Sequence, residues 1–321
     1  MARIVITEFM DGPAVAQLRG AGHEVVYEPQ LVDDAARLAQ LAQDCDALVV
    51  RNRTQVRGAL LDGLARCRVV GRLGVGLDNI DTQACEARGI RVVPATGANA
   101  LSVAEYVVTA ALVLLRGAFL STAAVASGQW PRAQLGTGRE AAGKTLGLVG
   151  FGSIGQTTAR LAQGLGLRLI ATDPVLAADD PAYAALGVAP VSLEDLLRDA
   201  DVVSLHVPLT DGTRGLFDAA RIASMKPGAV LVNTSRGHIV DLAAVVAALG
   251  ERRLGGAAID VFDDEPLPAG MVPADCPNLI LTPHISGVSL ESNERVSAVI
   301  AERVLDLLND TGAADGARRV G

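Results

Sequence analysis

Net positive charge is what this 321-residue chain lacks most clearly: 28 Lys and Arg stand against 36 Asp and Glu, for a formal net charge of -8. That balance gives no support to nucleic-acid or general membrane-surface binding. An anionic ligand must instead be held by a local group of cations working against the overall field. Lysine is nearly missing, found only at 144 and 226, so those cations are arginines. Cysteine is sparse too. The four, at 45, 67, 85 and 276, show no C-x-x-C pair and no metal-like spacing, which predicts separate thiols in a reducing compartment and no metal site. No uncharged apolar run is long enough to cross a bilayer. The most apolar stretch, residues 102–120, is interrupted by Glu105 and Arg116 and reads as a buried helix. The N-terminal MARIVITEFMD enters a strand pattern with no secretory signal, and a soluble, cytoplasmic protein is expected.

What is present is apolar and periodic. Half the residues are hydrophobic, enough for a large core and two domains. Short β-branched runs alternate with helical patterns, the mark of parallel α/β architecture. A first set comprises residues 3–8, 23–28, 47–52, 68–73 and 90–95. A second begins at 145–155 and continues through 168–174, 201–208, 229–235, 256–262 and 279–284. Long helical patterns at 102–118 and 291–308 flank the second set. They let the chain cross to a second domain and return, which assigns the last helix to the first domain. The expected boundaries are 1–101 with 288–321 for one domain and 102–287 for the other. The tail TGAADGARRVG reads as frayed.

Gly150-Phe151-Gly152-Ser153-Ile154-Gly155 matches G-x-G-x-x-G between a buried strand run and a helical run. Asp173 ends the next strand, 18 residues past Gly155. That context turns a weak motif into a dinucleotide fingerprint. The glycines permit a tight turn and a close approach of backbone N–H groups to a pyrophosphate. Asp173 suits the ribose hydroxyls of NAD and repels the extra phosphate of NADP. The alternative is a plain turn followed by a helix-capping Asp.

In a doubly wound sheet, ligands lie outside the carboxyl ends of the strands. His206, Arg236, Glu265 and His284 all fall just after strands of the second set. Hydride exchange between NAD and a 2-hydroxy acid needs a fixed cation for the carboxylate, a group titrating near neutrality, and a carboxylate to orient it. Arg236, His284 and Glu265 fill those three roles. Each alone has a bland reading, as a strand cap, a strand-ending imidazole or a solvated loop acid; together they point to catalysis. His206 reads as part of the cofactor wall, His23 as inert, and His238 as the rival acid–base residue.

Across nearly its whole length the chain resembles the D-isomer-specific 2-hydroxyacid dehydrogenases. The resemblance is carried by GRLGVGLDNID (71–81), SVAEYV (102–107), GLVGFGSIG (147–155), HVPLTDGTRGL (206–216), MKPGAVLVNTSRGHIVD (225–241), AAIDVFDDEPLP (257–268) and NLILTPHISG (278–287). It implies two doubly wound parallel-sheet domains, a Rossmann NAD-binding domain inserted into a flavodoxin-like substrate domain, in a homodimer. The catalytic trio then maps onto Arg236, Glu265 and His284, and the carboxylate-binding turn onto Leu73, Gly74, Val75 and Gly76. Cofactor contacts map onto Phe151, Gly152, Ser153, Ile154, Asp173, Val207, Pro208, Thr213, Thr234, Ser235, Asp260 and Gly287, with Val103 lining the nicotinamide pocket.

Arg51, Arg53 and Arg72 stand beside that turn and suggest a second anionic group on the substrate, or else pair with neighbouring acids. VITEFMD (5–11), VVRNRTQVRGALLD (49–62), PATGANALSVAEYV (94–107) and PHISGVSLESNERVS (283–297) are most similar to the (S)-sulfolactate dehydrogenase subgroup. Arginines matching Arg51 and Arg72 also occur in phosphoglycerate dehydrogenases. The expected reaction interconverts (S)-sulfolactate and 3-sulfopyruvate, with D-3-phosphoglycerate or another 2-hydroxy acid as the alternative. The family also includes NAD-responsive corepressors, a binding-module reading that the intact trio disfavours.

Overall fold

The computed structural model describes residues 1–310; the tail TGAADGARRVG (311–321), expected to be frayed, lies outside the described residues. The described residues divide into two compact units, Met1–Asn99 with Ser289–Asp310, and Ala100–Val288.

The first unit is built on five strands, β1 (Arg3–Ile6), β2 (Glu24–Tyr27), β3 (Ala47–Val50), β4 (Val69–Arg72) and β5 (Arg91–Pro94). All pair in parallel, in the order β2-β1-β3-β4-β5. This is the flavodoxin-like arrangement, whose topological switch point lies between β1 and β3. β3 and β4 are buried along their whole length, as expected of strands covered on both faces. The helix Leu290–Asn309 covers one face, setting Ile300 and Val304 against Gly71, where a Cβ would collide with both. That helix therefore belongs to the first sheet although it lies almost 200 residues downstream of β5 in sequence.

The second unit has seven strands, β6 (Thr145–Val149), β7 (Arg168–Thr172), β8 (Val188–Pro190), β9 (Val202–Leu205), β10 (Ala229–Asn233), β11 (Leu254–Ile259) and β12 (Leu279–Leu281). They too are all parallel, in the order β12-β11-β10-β9-β6-β7-β8. Relative to its first strand this is the Rossmann order with one strand added at the far edge, and its switch point lies between β6 and β9. The expected fold class is what the structure adopts. No strand pattern marks the three-residue edge strand β8, because VAP is short and contains a proline, tolerated only at an edge. The helix Ala100–Arg116 buries Val103, Val107, Ala111 and Leu114 in the core of this unit. It is a core helix; among the described residues no single helix is long and apolar enough to cross a membrane.

Candidate active site

Parallel pairing carries every strand of the second sheet in the same direction, so the loops after β6, β9, β10, β11 and β12 gather along one sheet edge. The loop after β6 is the glycine fingerprint. Gly150 has φ +97°, and a Cβ there would come within 2.7 Å of the His206 backbone. A Cβ on Gly155 would strike the Gly150 carbonyl oxygen. Around Gly152 nothing lies within 4 Å, which leaves its backbone open to approach at the start of the helix Ser153–Gln163. Phe151 faces inward, fully buried and stacked on Tyr183 at 4.7 Å, so only its backbone can serve a ligand. Asp173 accepts the Phe151 N–H at 2.7 Å and those of Val175 and Leu176 at 2.8 and 3.1 Å. The acid thus binds the fingerprint loop to the end of β7.

The neighbouring strand ends carry polar atoms that the protein leaves unsatisfied. Both ring nitrogens of His206, after β9, are buried without a hydrogen-bond partner, and so is the Thr234 hydroxyl after β10. Part of the His206 side chain retains exposure, but its nitrogens are sealed off, and burial lowers its pKa from 6.5 to about 3. Orphaned polar atoms beside an open glycine loop fit a bound dinucleotide, which would supply the missing partners. Val207 is buried; Pro208 and Ser153 are exposed, and Ile154 partly so. Thr213 closes its own loop by donating to the Pro208 carbonyl at 2.6 Å. Ser235 is spent holding strands together, donating to Leu205 at 2.7 Å. Val103 packs in the core.

Arg236 follows β10. Its Nη1 donates to the Ser235 carbonyl at 2.6 Å, and the Asn233 amide donates to the Arg236 carbonyl at 2.9 Å, so strand-end hydrogen bonds hold its backbone and side chain. The next residue has to be small: a Cβ on Gly237 would overlap the Phe262 backbone. That contact brings the Arg236 loop against the loop carrying Glu265.

Glu265 and His284 meet directly. His284 Nδ1 donates to Glu265 Oε2 at 2.8 Å, and Glu265 Oε1 accepts the Phe262 N–H at 3.1 Å. Both side chains are about one-third exposed, at 35% and 34%. The carboxylate therefore fixes the tautomer and leaves Nε2 as the reactive nitrogen. His284 adopts φ +53°, a left-handed conformation that costs a non-glycine residue about 1 kcal/mol or more. Asp260, fully buried after β11, supports it. The Asp260 carbonyl accepts the His284 N–H at 2.8 Å, and its carboxylate accepts those of Ile285 at 2.9 Å and Ser286 at 2.8 Å. Thr282 donates to the same carboxylate at 2.5 Å, and its oxygen lies 2.6 Å from the Tyr106 hydroxyl. Asp260 thus acts on the His284 turn, with Gly287 next along it. Nothing in the sequence distinguishes Tyr106 or Gly237 from their neighbours; Thr282 alone carries a signal, standing two residues before His284. His238 is exposed and pairs with Asp263 at 3.6 Å.

In the first unit, the Leu73–Gly76 turn follows β4. Arg72 is 8% exposed and donates from Nη1 to the Leu73 carbonyl at 2.8 Å, while a Cβ on Gly74 would run into its guanidinium. Arg72 therefore underlies the turn. Arg53 is exposed and its guanidinium is engaged by Asp33. Arg51 is half-buried, donates to Asn293 at 2.9 Å, and lies over the Phe9 ring at 5.8 Å. Among the described residues no cluster of acids, histidines and cysteines could hold a metal ion.

Residues 108–286 match the family model for the D-isomer specific 2-hydroxyacid dehydrogenase NAD-binding domain. The chain is 52% identical to an (S)-sulfolactate dehydrogenase of Chromohalobacter salexigens, over 95% of this chain and 97% of that one. Among solved structures, a Thermus thermophilus protein superposes with a TM-score of 0.84 at 34% identity, covering 95% of this chain and 96% of that one. An NAD-dependent formate dehydrogenase from Staphylococcus aureus, solved with NAD, superposes with a TM-score of 0.80 at 29% identity, covering 96% of each. The chain belongs to the D-isomer specific 2-hydroxyacid dehydrogenase family, as an NAD-dependent oxidoreductase.

Proposed function

We propose that the protein interconverts (S)-sulfolactate and 3-sulfopyruvate with NAD, by acid–base catalysis at His284. The observation that carries the acid–base assignment is the 2.8 Å bond between His284 Nδ1 and Glu265, which presents Nε2 as a base. The sulfonate substrate is supported by the 52% identity to the Chromohalobacter enzyme. Gly152, His206, Thr234 and Asp173 would hold the cofactor, which when bound supplies a two-electron hydride acceptor. In the oxidative direction, Arg236 binds the substrate carboxylate and polarises the oxygen on carbon 2. His284 Nε2 takes the hydroxyl proton as the hydride leaves that carbon, and Glu265 stabilises the imidazolium. The reverse reaction returns the proton from His284. The backbone of the Leu73–Gly76 turn supplies further N–H groups for the carboxylate, and Arg51 meets the distal anion.

We further propose a homodimer, supported by the exposed Phe119, Leu120, Val125 and Trp130, an apolar set that a second copy would cover. The four free cysteines support a reducing, cytoplasmic setting.

The test follows NADH absorbance with NAD and (S)-sulfolactate, 3-phosphoglycerate, D-lactate or D-malate. Preference for sulfolactate supports the reading, and preference for a monoanion overturns the distal-anion part. NAD binding with no turnover of any of them would favour a binding module.

A further inference from the structure

The switch point of the first sheet is occupied by one cation and a frame that holds it. Ligands in open α/β sheets gather where the strand order reverses, outside the carboxyl ends of the two diverging strands. Here those strands are β1 and β3, and the residues just past them are Glu8, Phe9 and Arg51. Glu8 is 5% exposed and has no cationic partner within salt-bridge distance among the described residues. Its two oxygens accept three backbone N–H groups instead, those of Arg51 and Thr54 at 3.0 Å and of Arg53 at 3.2 Å. Asn79 donates to the Arg51 and Thr54 carbonyls at 3.1 and 2.7 Å. A buried carboxylate consumed in this way is a template for a loop, and the loop displays Arg51.

The Arg51 side chain is held as firmly as its backbone. Asn293, in the first turns of the helix Leu290–Asn309, takes one Nη2 hydrogen at 2.9 Å, and the Phe9 ring lies beneath the guanidinium. No carboxylate lies within salt-bridge distance of that guanidinium among the described residues, whereas Arg53 is matched by Asp33. Burial lowers the pKa of Arg51 from its ordinary value. The nearest acid that acts on it, Glu8, offsets this only in part and spends its oxygens on backbone N–H groups. A half-desolvated arginine, oriented by a neutral amide and bonded to no carboxylate, is prepared for an anion from outside.

We propose that Asn293 is a specificity-determining residue: its uncharged amide orients Arg51 while leaving the positive charge available for the distal sulfonate of the substrate. The inference rests on the proposed function, since it assumes that Arg51 receives that group. Any residue at 293 able to accept the Nη2 hydrogen would orient Arg51, but an acid would also neutralise it. Neutrality at this position is therefore what keeps the subsite selective for a dianion.

The experiment compares N293D, N293A and R51Q with wild type in full kinetics on (S)-sulfolactate and D-lactate. An acid is well tolerated in the first turns of a helix, so N293D should fold, and a thermal melt checks it. N293D is expected to raise KM for sulfolactate about tenfold or more, with the effect falling on KM rather than kcat, as when a charge pair is quenched at a binding site. N293A should raise it less, since the charge survives but its orientation is lost. Sulfolactate-to-lactate selectivity should fall in the same order. If R51Q raises KM while N293D stays within about twofold of wild type, the role of Asn293 is overturned and the substrate reading stands. If neither variant moves KM, the reading of Arg51 falls as well. If N293D acts while R51Q does not, Asn293 works other than through Arg51 and the inference fails. Should N293D misfold, N293A carries the comparison alone against the same limits.

Discussion

His284 and Glu265 form a bonded pair, Nδ1 to Oε2 at 2.8 Å, between residues 19 apart in sequence, with the histidine backbone at φ +53°. The carboxylate both sets the tautomer and waits for the charge that proton transfer creates. His284→Asn should lower kcat by about 100- to 10,000-fold while NADH still binds, as read by nucleotide fluorescence. Glu265→Gln keeps the shape and removes the charge. It should lower kcat less than His284→Asn, because the imidazolium formed on proton transfer loses its counter-ion. An unchanged kcat would mean that Glu265 only packs against the ring.

Asp260 gives that pair its geometry, through the His284, Ile285 and Ser286 N–H groups and the Thr282 hydroxyl. Asp260→Asn replaces an acceptor with a donor facing a donor. It should cost about 1–3 kcal/mol of stability, seen in the denaturation midpoint, together with a loss of kcat. Stability lost with kcat intact would separate the turn from catalysis.

Gly152 and Gly155 should respond oppositely to alanine. Space is open around Gly152, so Gly152→Ala should melt close to wild type yet bind NAD about tenfold more weakly, because the added methyl stands where the pyrophosphate approaches. Gly155→Ala would collide with the Gly150 carbonyl and should lose stability and binding together. Calorimetry of melting and of NAD titration distinguishes the two patterns.

His206 makes the fold acid-sensitive. Its pKa lies near 3 when folded and near 6.5 when unfolded, so between those values the unfolded chain binds the extra proton. Its contribution to stability is therefore complete above about pH 6.5 and lost as pH falls toward 3, at up to about 1.4 kcal/mol per pH unit. His206→Leu should flatten the stability profile across that window, measured by urea midpoints at fixed temperature. An unchanged slope would show that His206 is protonated in the fold.

Sequence alone determined the two parallel sheets, because buried β-branched runs alternating with helices have few other solutions. It also determined the fingerprint glycines, whose spacing is local, and it placed His206, Arg236, Glu265 and His284 just after strands of one sheet. What it left open was pairing. Arg51, Arg53 and Arg72 read alike as basic residues at strand ends. Only the tertiary structure gives Arg53 to Asp33, sets Arg72 under the Leu73 turn, and leaves Arg51 with Asn293, a residue 242 positions away. Nothing in the sequence distinguishes Glu8 or Tyr106 from their neighbours. Their roles come from hydrogen bonds across 43 and 176 residues. Periodicity reports which face of an element is buried, because burial is a property of each residue's own surroundings. Which buried polar atom meets which other depends on distances set by packing, and those exist only once the chain has folded.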